Sequence, residues 1–371
     1  MAAVGIVFSN LHDDNVTDLT KSRTMGSIPF GGRYRLIDFV LSNMVNSGID
    51  KVGIITKSNY QSLMDHLGSG KEWDLSRKNK GIIILPPFGR EDSDILYRTR
   101  LEALKGVISF ITRCKEEYAV LTDCDKANNI DLAEVIKFHE DNLADITVMY
   151  KKTKLNSVEA KRSINYTLDG NKVTNVNIQN AEAGEKNVCL NVFVLKRDLL
   201  VNLIARGIEN GARSLHRDIL KANVKKLNIL ACEFTGYSAS IDSLASYYKH
   251  SMEMLDKNKR DQLFSIKDRL IYTKVRDSAP TRYGFNCAVK NSLIADGCII
   301  EGFVENSILF RGVKIAKGTK VSNSILMQDT ITGENVNLNC VISDKNVVIR
   351  DRKVLSGCAE LPFFIGKGLM V

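Results

Sequence analysis

The sequence has little of several features that mark other classes of protein. Only 5 of its 371 residues are proline, which excludes the Pro-rich composition of disordered segments and extended linkers. No apolar run approaches the roughly 20 residues of a membrane span. The short apolar run at residues 1–8 has no basic residues before it, so neither a membrane partner nor a signal peptide is predicted. We expect an ordered protein of the cytoplasm.

Patterns typical of metal sites and disulfide frameworks are also missing. The 8 cysteines are dispersed and form no Cys-x-x-Cys pair, and the 5 histidines have no metal-ligand spacing. Dispersed cysteines inside apolar runs are typical of reduced thiols that pack in a core. The sequence therefore predicts neither a zinc site nor a disulfide-stabilised fold.

The chain is basic, with 52 Lys and Arg against 43 Asp and Glu. An excess of positive charge is common in proteins that bind nucleic acid. Here the basic residues are spread along the chain, and the aromatic residues, 7% of the total, do not alternate with them as a base-stacking surface requires. We expect no nucleic acid partner. Small phosphorylated metabolites or an acidic partner subunit suit this charge better.

The first 250 residues alternate strand-length apolar runs with helical stretches. Such alternation favours a largely parallel sheet with helices on both faces. In one predicted helix, apolar residues recur with a period near 3.6 between Leu101 and Ile111, which indicates a stripe that faces the core. The predicted strands are 4–8, 51–56, 82–85, 118–121, 146–151 and 188–195, and the predicted helices are 35–47, 93–113 and 132–142.

The last part of the chain changes to short β runs with glycine at turns. Apolar residues recur there every six positions, as in Val336, Ile342 and Val348. A left-handed β-helix needs about one such repeat on each of the three faces of a coil. No histidine follows His250, which argues against an acyltransferase built on this helix. Since its end coils need cover, oligomerisation is the favoured role. The predicted parts are 1–250, a helical linker at 251–284 and a β-helix at 285–371.

One run of residues carries a specific resemblance to a known family. Residues 29–39 read Pro-Phe-Gly-Gly-Arg-Tyr-Arg-Leu-Ile-Asp-Phe, and Leu-Ser-Asn and Asn-Ser-Gly-Ile follow in register. This stretch resembles the bacterial glucose-1-phosphate adenylyltransferases, the ADP-glucose pyrophosphorylases of glycogen synthesis. Further matches extend the resemblance over most of the chain. It implies an α/β fold, with a Rossmann-like, mostly parallel nucleotidyltransferase domain followed by a left-handed parallel β-helix.

The phosphate-binding loop of that family is not found at its expected place. In the family the first strand leads into Leu-Ala-Gly-Gly-x-Gly-x-Arg-Leu. In register with that pattern, the glycines fall on Asn10, Leu11 and Asp13, the arginine falls on Asn15, and His12 lies between them. Side chains at the glycine positions keep the backbone N–H groups from a phosphate, and acidic residues repel it. We therefore expect no triphosphate loop, and a surface position for His12.

Three further family positions that carry charge are altered here. The family holds Mg²⁺ between two carboxylates; the first matches Asp125, and the second falls on Ser240. The lysine that holds the sugar phosphate falls on Gln179, and another lysine falls on Met25. Asp125 is a remnant of the metal position, or else a strand-end carboxylate that bonds a loop. We expect no metal and no cofactor, with Mg²⁺ only if residual activity exists.

The adenine side of the family site is partly retained. Its Tyr-Arg-Gly-Thr-Ala motif is matched by Tyr97 and Arg98, but Thr, Arg and Leu follow. These two residues and Asp125 are the predicted remnants of a nucleotide pocket. Because the loop, a metal ligand and two lysines are lost together, we expect no catalytic residue to remain.

The catalytic family is allosteric, and its effector pocket uses basic residues from the Gly-Gly-Lys/Arg segment and from the β-helix. The resemblance assigns Arg33 to the first of these positions and Lys314 to the β-helix, with Arg35 and Lys51 near in sequence. A guanidinium group can donate two parallel hydrogen bonds to a phosphate. The alternative for Arg33 is a structural arginine that pairs with Asp38 or with a strand end.

These losses resemble the non-catalytic subunit that accompanies the catalytic adenylyltransferase in many Gram-positive bacteria. The favoured interpretation is a regulatory and structural subunit in a homo- or hetero-tetramer, with a phosphorylated metabolite as effector. Two alternatives stay open. One is a weakly active glucose-1-phosphate adenylyltransferase, and the other is a free-standing sensor of sugar phosphates or nucleotides.

Overall fold

The structure is a computed structural model, and it describes residues 2–78, 80–87, 97–178 and 182–371. The predicted helices 35–47 and 132–142 correspond to α2 and α6 below, and the prediction for 93–113 corresponds to α4 and α5 over its described part. The helices are α1 (Thr17–Thr20), α2 (Leu36–Asn46), α3 (Gln61–Leu67), α4 (Arg100–Gly106), α5 (Ile108–Arg113), α6 (Leu132–Asp141), α7 (Ser157–Arg162), α8 (Arg197–Glu209), α9 (Leu244–Met252), α10 (Lys257–Phe264) and a π-helix at Leu215–Lys221.

A nine-stranded sheet forms the centre of the first domain, in the order β5-β4-β1-β6-β11-β8-β12-β10-β9. The four strands from β5 to β6 are parallel, and β11 joins them in the antiparallel direction. Two short pairs, β2 with β3 and β7 with β13, lie outside it. The strands are β1 (Ala3–Phe8), β2 (Pro29–Phe30), β3 (Tyr34–Arg35), β4 (Lys51–Ile55), β5 (Gly81–Leu85), β6 (Tyr118–Asp123), β7 (Lys126–Asn128), β8 (Ile146–Leu155), β9 (Ile164–Asp169), β10 (Lys172–Ile178), β11 (Gly184–Lys196), β12 (Ile229–Glu233) and β13 (Ser238–Ser240).

The central strands are buried on both faces. Every residue of β1 and β6 is buried, as expected of parallel strands that helices cover on both sides. Gly5 lets α2 approach the sheet, because a Cβ there would lie only 2.4 Å from the sulfur of Met44. Because β1, β4 and β6 are parallel, their carboxyl ends meet at one edge of the sheet. Ligands bind at this edge in open α/β sheets.

The second domain is a β-helix, as the six-residue repeat predicts. Three parallel sheets of five strands each form its sides. Their inward residues stack in register; Val304, Val321 and Leu338 are one such ladder. The predicted start at residue 285 falls between β14 and β15. The strands are β14 (Arg282–Tyr283), β15 (Ala288–Lys290), β16 (Leu293–Ile294), β17 (Ile299–Ile300), β18 (Phe303–Glu305), β19 (Ile308–Leu309), β20 (Lys314–Ile315), β21 (Lys320–Ser322), β22 (Ile325–Leu326), β23 (Ile331–Thr332), β24 (Asn337–Asn339), β25 (Val341–Ser343), β26 (Val348–Ile349), β27 (Val354–Ser356) and β28 (Phe363–Ile365).

One side of the β-helix packs against the first domain. The outer face of the sheet β16-β19-β22-β25-β28 contributes Ile308, Ile325 and Ile342 to a buried cluster that also contains Phe39 and Tyr247 of the first domain. This apolar contact fixes the two domains against each other and brings charged residues from both to the junction.

Candidate functional site

Hydrogen bonds from its own side chains hold the segment that follows β1. The hydroxyl of Ser9 donates to the carbonyl of Ile55 at 2.8 Å, and the side-chain amide of Asn10 donates to Asp13 Oδ2 at 2.6 Å. The side-chain oxygen of Asn10 accepts from the backbone N–H of Lys57 at 3.0 Å. Asn10 is buried, so a side chain fills space that a glycine would leave open to a ligand.

The carboxylate of Asp13 is half-buried and is held by hydrogen bonds within its own loop. Its Oδ1 accepts from the backbone N–H of Met25 at 2.8 Å. Burial raises the pKa of Asp13 to about 6, against the opposing hydrogen bonds from Asn10 and Met25. Met25, which stands at the position of one family lysine, is itself buried in the core. This position therefore presents no positive charge to a phosphate.

The half-buried Asp13 carboxyl makes stability depend on pH. Its folded-state pKa of about 6 lies above the ordinary 3.8, so its favourable contribution is present below about pH 4 and is lost as the pH rises through 6. We expect the free energy of unfolding of D13N, relative to the wild type, to rise by roughly 2–3 kcal/mol between pH 4 and pH 7.5. Urea unfolding at the two pH values measures this. The control is D14N, which changes the exposed neighbour of Asp13. The assignment would be contradicted if D13N and the wild type differed in free energy of unfolding by the same amount at both pH values.

The other loop residues do not face an open pocket with free donors. Leu11 packs against the large apolar cluster of the sheet. Asn15, at the position of the family arginine, is exposed, and its backbone N–H donates to the carbonyl of His12 at 3.1 Å. The structure thus places an apolar residue, a half-buried acid and a neutral amide where a phosphate needs donors and positive charge.

The predicted adenine-side residues behave differently from each other. Tyr97 is partly buried and packs against the same apolar cluster as Leu11. Burial, with a smaller contribution from Asp13, raises the pKa of Tyr97 above its usual range. Arg98 is exposed, and its backbone N–H donates to Glu102 at 2.7 Å. Gln179, predicted at the sugar-phosphate position, lies outside the described residues.

Five ionisable side chains converge at the carboxyl end of β6, and we call them the charged cluster. Asp123 Oδ1 accepts from Arg100 Nε at 3.1 Å, and Asp123 Oδ2 pairs with Arg100 Nη2 and lies 2.6 Å from His12 Nε2. Asp125 Oδ2 lies 2.5 Å from Lys126 Nζ and 3.8 Å from His12 Nε2. Sequence reasoning placed His12 at the surface, whereas the structure places it beside both carboxylates.

The charged cluster is neutralised from within. Burial alone would raise the pKa of Asp123, but Arg100 and His12 outweigh it and hold that pKa well below the usual range. Burial is likewise outweighed at Asp125, where Lys126 and His12 lower the pKa. Both carboxyl groups are therefore ionised, and each is matched by a cation of the chain itself.

The residues present do not fit the Mg²⁺ that the family resemblance implies. The two family metal positions do meet, because Ser240 pairs with Lys126 across β13 and β7, and the next backbone N–H, that of Ile241, donates to the carbonyl of Asp125 at 2.8 Å. Ser240 offers a hydroxyl instead of a carboxylate, and one oxygen of Asp125 is taken by an ammonium group. Mg²⁺ needs near-octahedral oxygen ligands at about 2.0–2.1 Å, which this arrangement does not supply.

A second group of charges lies at the junction of the two domains. Arg33 and Arg35, both predicted to bind an anion, line one pocket there. Sequence reasoning missed four more basic residues in it, two from the linker and two from the β-helix. The six residues that we call the cationic pocket are Arg33, Arg35, Lys274, Arg276, Arg311 and Lys345.

Two residues of the predicted effector site lie elsewhere. Lys51 begins β4 and pairs with Glu116 at 3.4 Å. Lys314 begins β20, where its side chain is exposed on the surface of the β-helix. Neither residue lines the cationic pocket. A position near Arg33 in sequence, as for Lys51, or within the β-helix, as for Lys314, was therefore not enough to identify a residue of this pocket.

The basic residues of the pocket raise one another's electrostatic energy. Burial, then the nearby Arg35 and Arg23, lowers the pKa of Lys345 to about 7. Burial also lowers the pKa of Arg35 to about 10. The positive groups in this pocket disfavour each other's charge, so a bound anion stabilises them electrostatically.

Arg33 does not pair with Asp38, one of the two structural partners that the sequence left open. Asp38 Oδ1 lies 2.5 Å from His66 Nε2, and its Oδ2 accepts from the backbone N–H of Arg35 at 2.9 Å. The guanidinium group of Arg33 lies 5.5 Å from the ring centre of Tyr34. Arg33 is exposed at the rim of the pocket, where it can reach a ligand.

In the described part of the chain, no helix combines the length and the apolar character needed to cross a bilayer.

A family model described as nucleotidyl transferase matches residues 14–160, and one described as GlmU-like, C-terminal hexapeptide matches residues 278–357. These matches agree with the two domains of the fold.

Curated relatives match nearly the whole chain. "Glycogen biosynthesis protein GlgD" of Bacillus subtilis is 38% identical over 368 residues, which is 99% of this chain and 96% of that protein. The GlgD protein of Geobacillus stearothermophilus is also 38% identical, over 98% and 96% of the two chains. A glucose-1-phosphate adenylyltransferase of Thermosipho africanus is 32% identical over 82% of this chain and 74% of its own. The chain therefore belongs to the glucose-1-phosphate adenylyltransferase family, and the GlgD proteins match it over nearly its full length.

Proposed function

We propose that this chain is a regulatory and structural subunit of ADP-glucose formation in glycogen synthesis, with little or no activity of its own. The observation that carries the proposal is the internal neutralisation of the cleft. Asp123 and Asp125 are paired with Arg100 and Lys126, and the loop after β1 is filled by Asn10 and Asp13. The names of the GlgD relatives support the assignment to glycogen synthesis.

The described part of the cleft lacks the positive charge that phosphoryl transfer needs. Phosphoryl transfer depends on positioning and on positive charge around the phosphoryl oxygens. Removing one such donor typically costs about 2.7–4 kcal/mol of transition-state stabilisation. Here the loop, one metal carboxylate and the lysine position at Met25 are changed together, and the two remaining cations of the cleft are bound to carboxylates. No cofactor is needed in this role.

The proposed partner is a catalytic glucose-1-phosphate adenylyltransferase subunit, in a mixed tetramer. One side of the β-helix is covered by the first domain, whereas apolar side chains are exposed on other parts of its surface. Phe303 and Val354, on the sheet β15-β18-β21-β24-β27, are 45% and 71% exposed. Exposed apolar groups on one face are typical of surfaces that pack against another subunit.

The proposed effector is a phosphorylated metabolite bound in the cationic pocket. Residues of both domains line this pocket, so an anion there bridges the first domain and the β-helix. Arg33 and Arg276 are exposed at its rim, and Lys345 is buried deeper. This arrangement supports regulation through the relative position of the domains.

Lys345 makes anion binding depend on pH. Its pKa of about 7 in the empty pocket means that a bound anion raises this pKa and draws a proton onto the amine. We expect the affinity for sulfate, whose charge is constant in this range, to fall about tenfold between pH 7 and pH 8.5. Calorimetry in buffers of different ionisation enthalpy measures the proton uptake. In K345M the affinity is expected to be weaker and independent of pH, and a pH-dependent K345M would contradict the role.

Activity assays separate this proposal from its alternatives. The purified chain with ATP, glucose 1-phosphate and Mg²⁺ is expected to form no detectable ADP-glucose. When it is mixed with a catalytic subunit, the rate or effector response of that subunit is expected to change. Formation of ADP-glucose by the chain alone would support a weakly active enzyme. Effector binding without any change in the catalytic subunit would support a free-standing sensor.

A further inference from the structure

The charged cluster brings together the donor atoms of a metal site. One ring nitrogen of His12 and one oxygen each of Asp123 and Asp125 lie within 4.8 Å of one another. A histidine nitrogen with two carboxylate oxygens suits first-row divalent cations such as Mn²⁺ and Zn²⁺. A second observation points the same way, since Asp125 Oδ1 is buried and has no hydrogen-bond partner among the residues that the structure describes, and Asp125 is 7% exposed.

The cluster already contains two cations of its own. The side chains of Arg100 and Lys126 are 11% and 8% exposed, and each contacts one of the carboxylates. Two buried carboxylates without cations near them are strongly disfavoured. Arg100 and Lys126 together carry the same charge as one divalent cation, so they balance the charge of the two carboxylates without a metal.

We propose that Arg100 and Lys126 take the place of a divalent cation, and that they mask a cation site formed by His12, Asp123 and Asp125. The wild-type cleft is then independent of divalent metals. Removing the two side-chain cations uncovers the site. This inference concerns how the cleft is held together, and it stands whether or not the chain regulates a catalytic subunit.

The test is Mn²⁺ binding by the full-length chain, measured by electron paramagnetic resonance and calorimetry. R100M/K126M is expected to bind one Mn²⁺ per chain at least about tenfold more tightly than the wild type. Adding D125N to this variant is expected to abolish the gain. The matched control is K105M/K137M, which removes two positive charges from exposed positions and is expected to bind Mn²⁺ like the wild type.

Thermal unfolding gives a second readout that does not depend on activity. The melting temperature of the wild type is expected to be the same in EDTA and in excess Mn²⁺, whereas that of R100M/K126M is expected to rise with Mn²⁺ by several degrees, roughly 5 °C. If R100M/K126M is soluble only with Mn²⁺, the inference is supported. If it fails to fold even with Mn²⁺, or binds it no better than K105M/K137M, the inference is overturned.

Discussion

Replacing Arg33 and Arg276 by glutamate is expected to weaken the binding of fructose 1,6-bisphosphate at least about 100-fold, because hydrogen bonds to charged groups contribute about 1.5–3 kcal/mol each. The reversal turns two attractive contacts into repulsive ones. Both residues line the cationic pocket and are exposed at its rim, so the fold does not depend on their charge. Arg35, Lys274, Arg311 and Lys345 remain, which leaves a pocket of reduced but not inverted charge.

The matched control for this double variant is K314E/K320E. Lys314 and Lys320 are exposed on the β-helix and do not line the pocket, so the control changes the net charge equally. Calorimetry is expected to show an affinity within about twofold of the wild type for the control, because exposed charges at a distance are largely screened by salt. Equal losses in the two variants would mean that general charge, and not the pocket, binds the bisphosphate.

The R33E/R276E variant also tests whether the cationic pocket regulates a catalytic partner. If the pocket regulates a catalytic partner, R33E/R276E is expected to remove the effector response of the mixed complex while leaving its assembly intact. A complex that loses assembly together with the response would instead indicate that these residues lie in the contact between subunits.

The fold could be predicted from the sequence because its signals are local. The apolar runs that became β1, β4, β6 and β11 were recognisable by length and composition alone, and the six-residue repeat gave the β-helix. The parallel half of the sheet follows from the alternation with helices. The antiparallel entry of β11 was not predicted, since periodicity within a strand says nothing about the direction of its neighbour.

The candidate site was predictable only where a family motif marks it. The resemblance located Asp125 and Ser240, which the structure brings together, and it located Arg33 and Arg35. It gave no sign that Arg100 pairs with Asp123, because the two residues are 23 positions apart in sequence. In the sequence, Arg100 was only a departure from the Tyr-Arg-Gly-Thr-Ala motif.

Lys345 and Arg276 were missed for a related reason. Each is an isolated basic residue in its own segment, and their shared pocket exists only after the β-helix has packed against the first domain. Long-range contacts of this kind carry no local pattern. For the same reason Lys51, which is near Arg33 in sequence, was included although it pairs with Glu116.

The packing of the domains also depends on one buried ion pair. Arg23 Nη2 donates to both carboxylate oxygens of Asp344, at 2.7 and 2.9 Å, and the two side chains are 2% and 3% exposed. Asp344 Oδ1 also accepts from the backbone N–H of Lys345 at 2.7 Å. The pair therefore connects the first domain to the segment of the β-helix that supplies Lys345 to the cationic pocket.

R23M is expected to lower the free energy of unfolding by about 3–5 kcal/mol, because it leaves the Asp344 carboxylate buried without its cation. Urea unfolding measures the loss, and R77M, which breaks exposed pairs with Asp50 and Asp74, is expected to cost under about 1 kcal/mol. The double variant R23M/D344N is expected to recover a large part of the loss, since it removes the unpaired charge. Strictly additive losses in R23M and D344N would show that the two residues do not act as a pair. If the contact also holds Lys345 in the pocket, sulfate affinity is expected to fall in R23M but not in R77M.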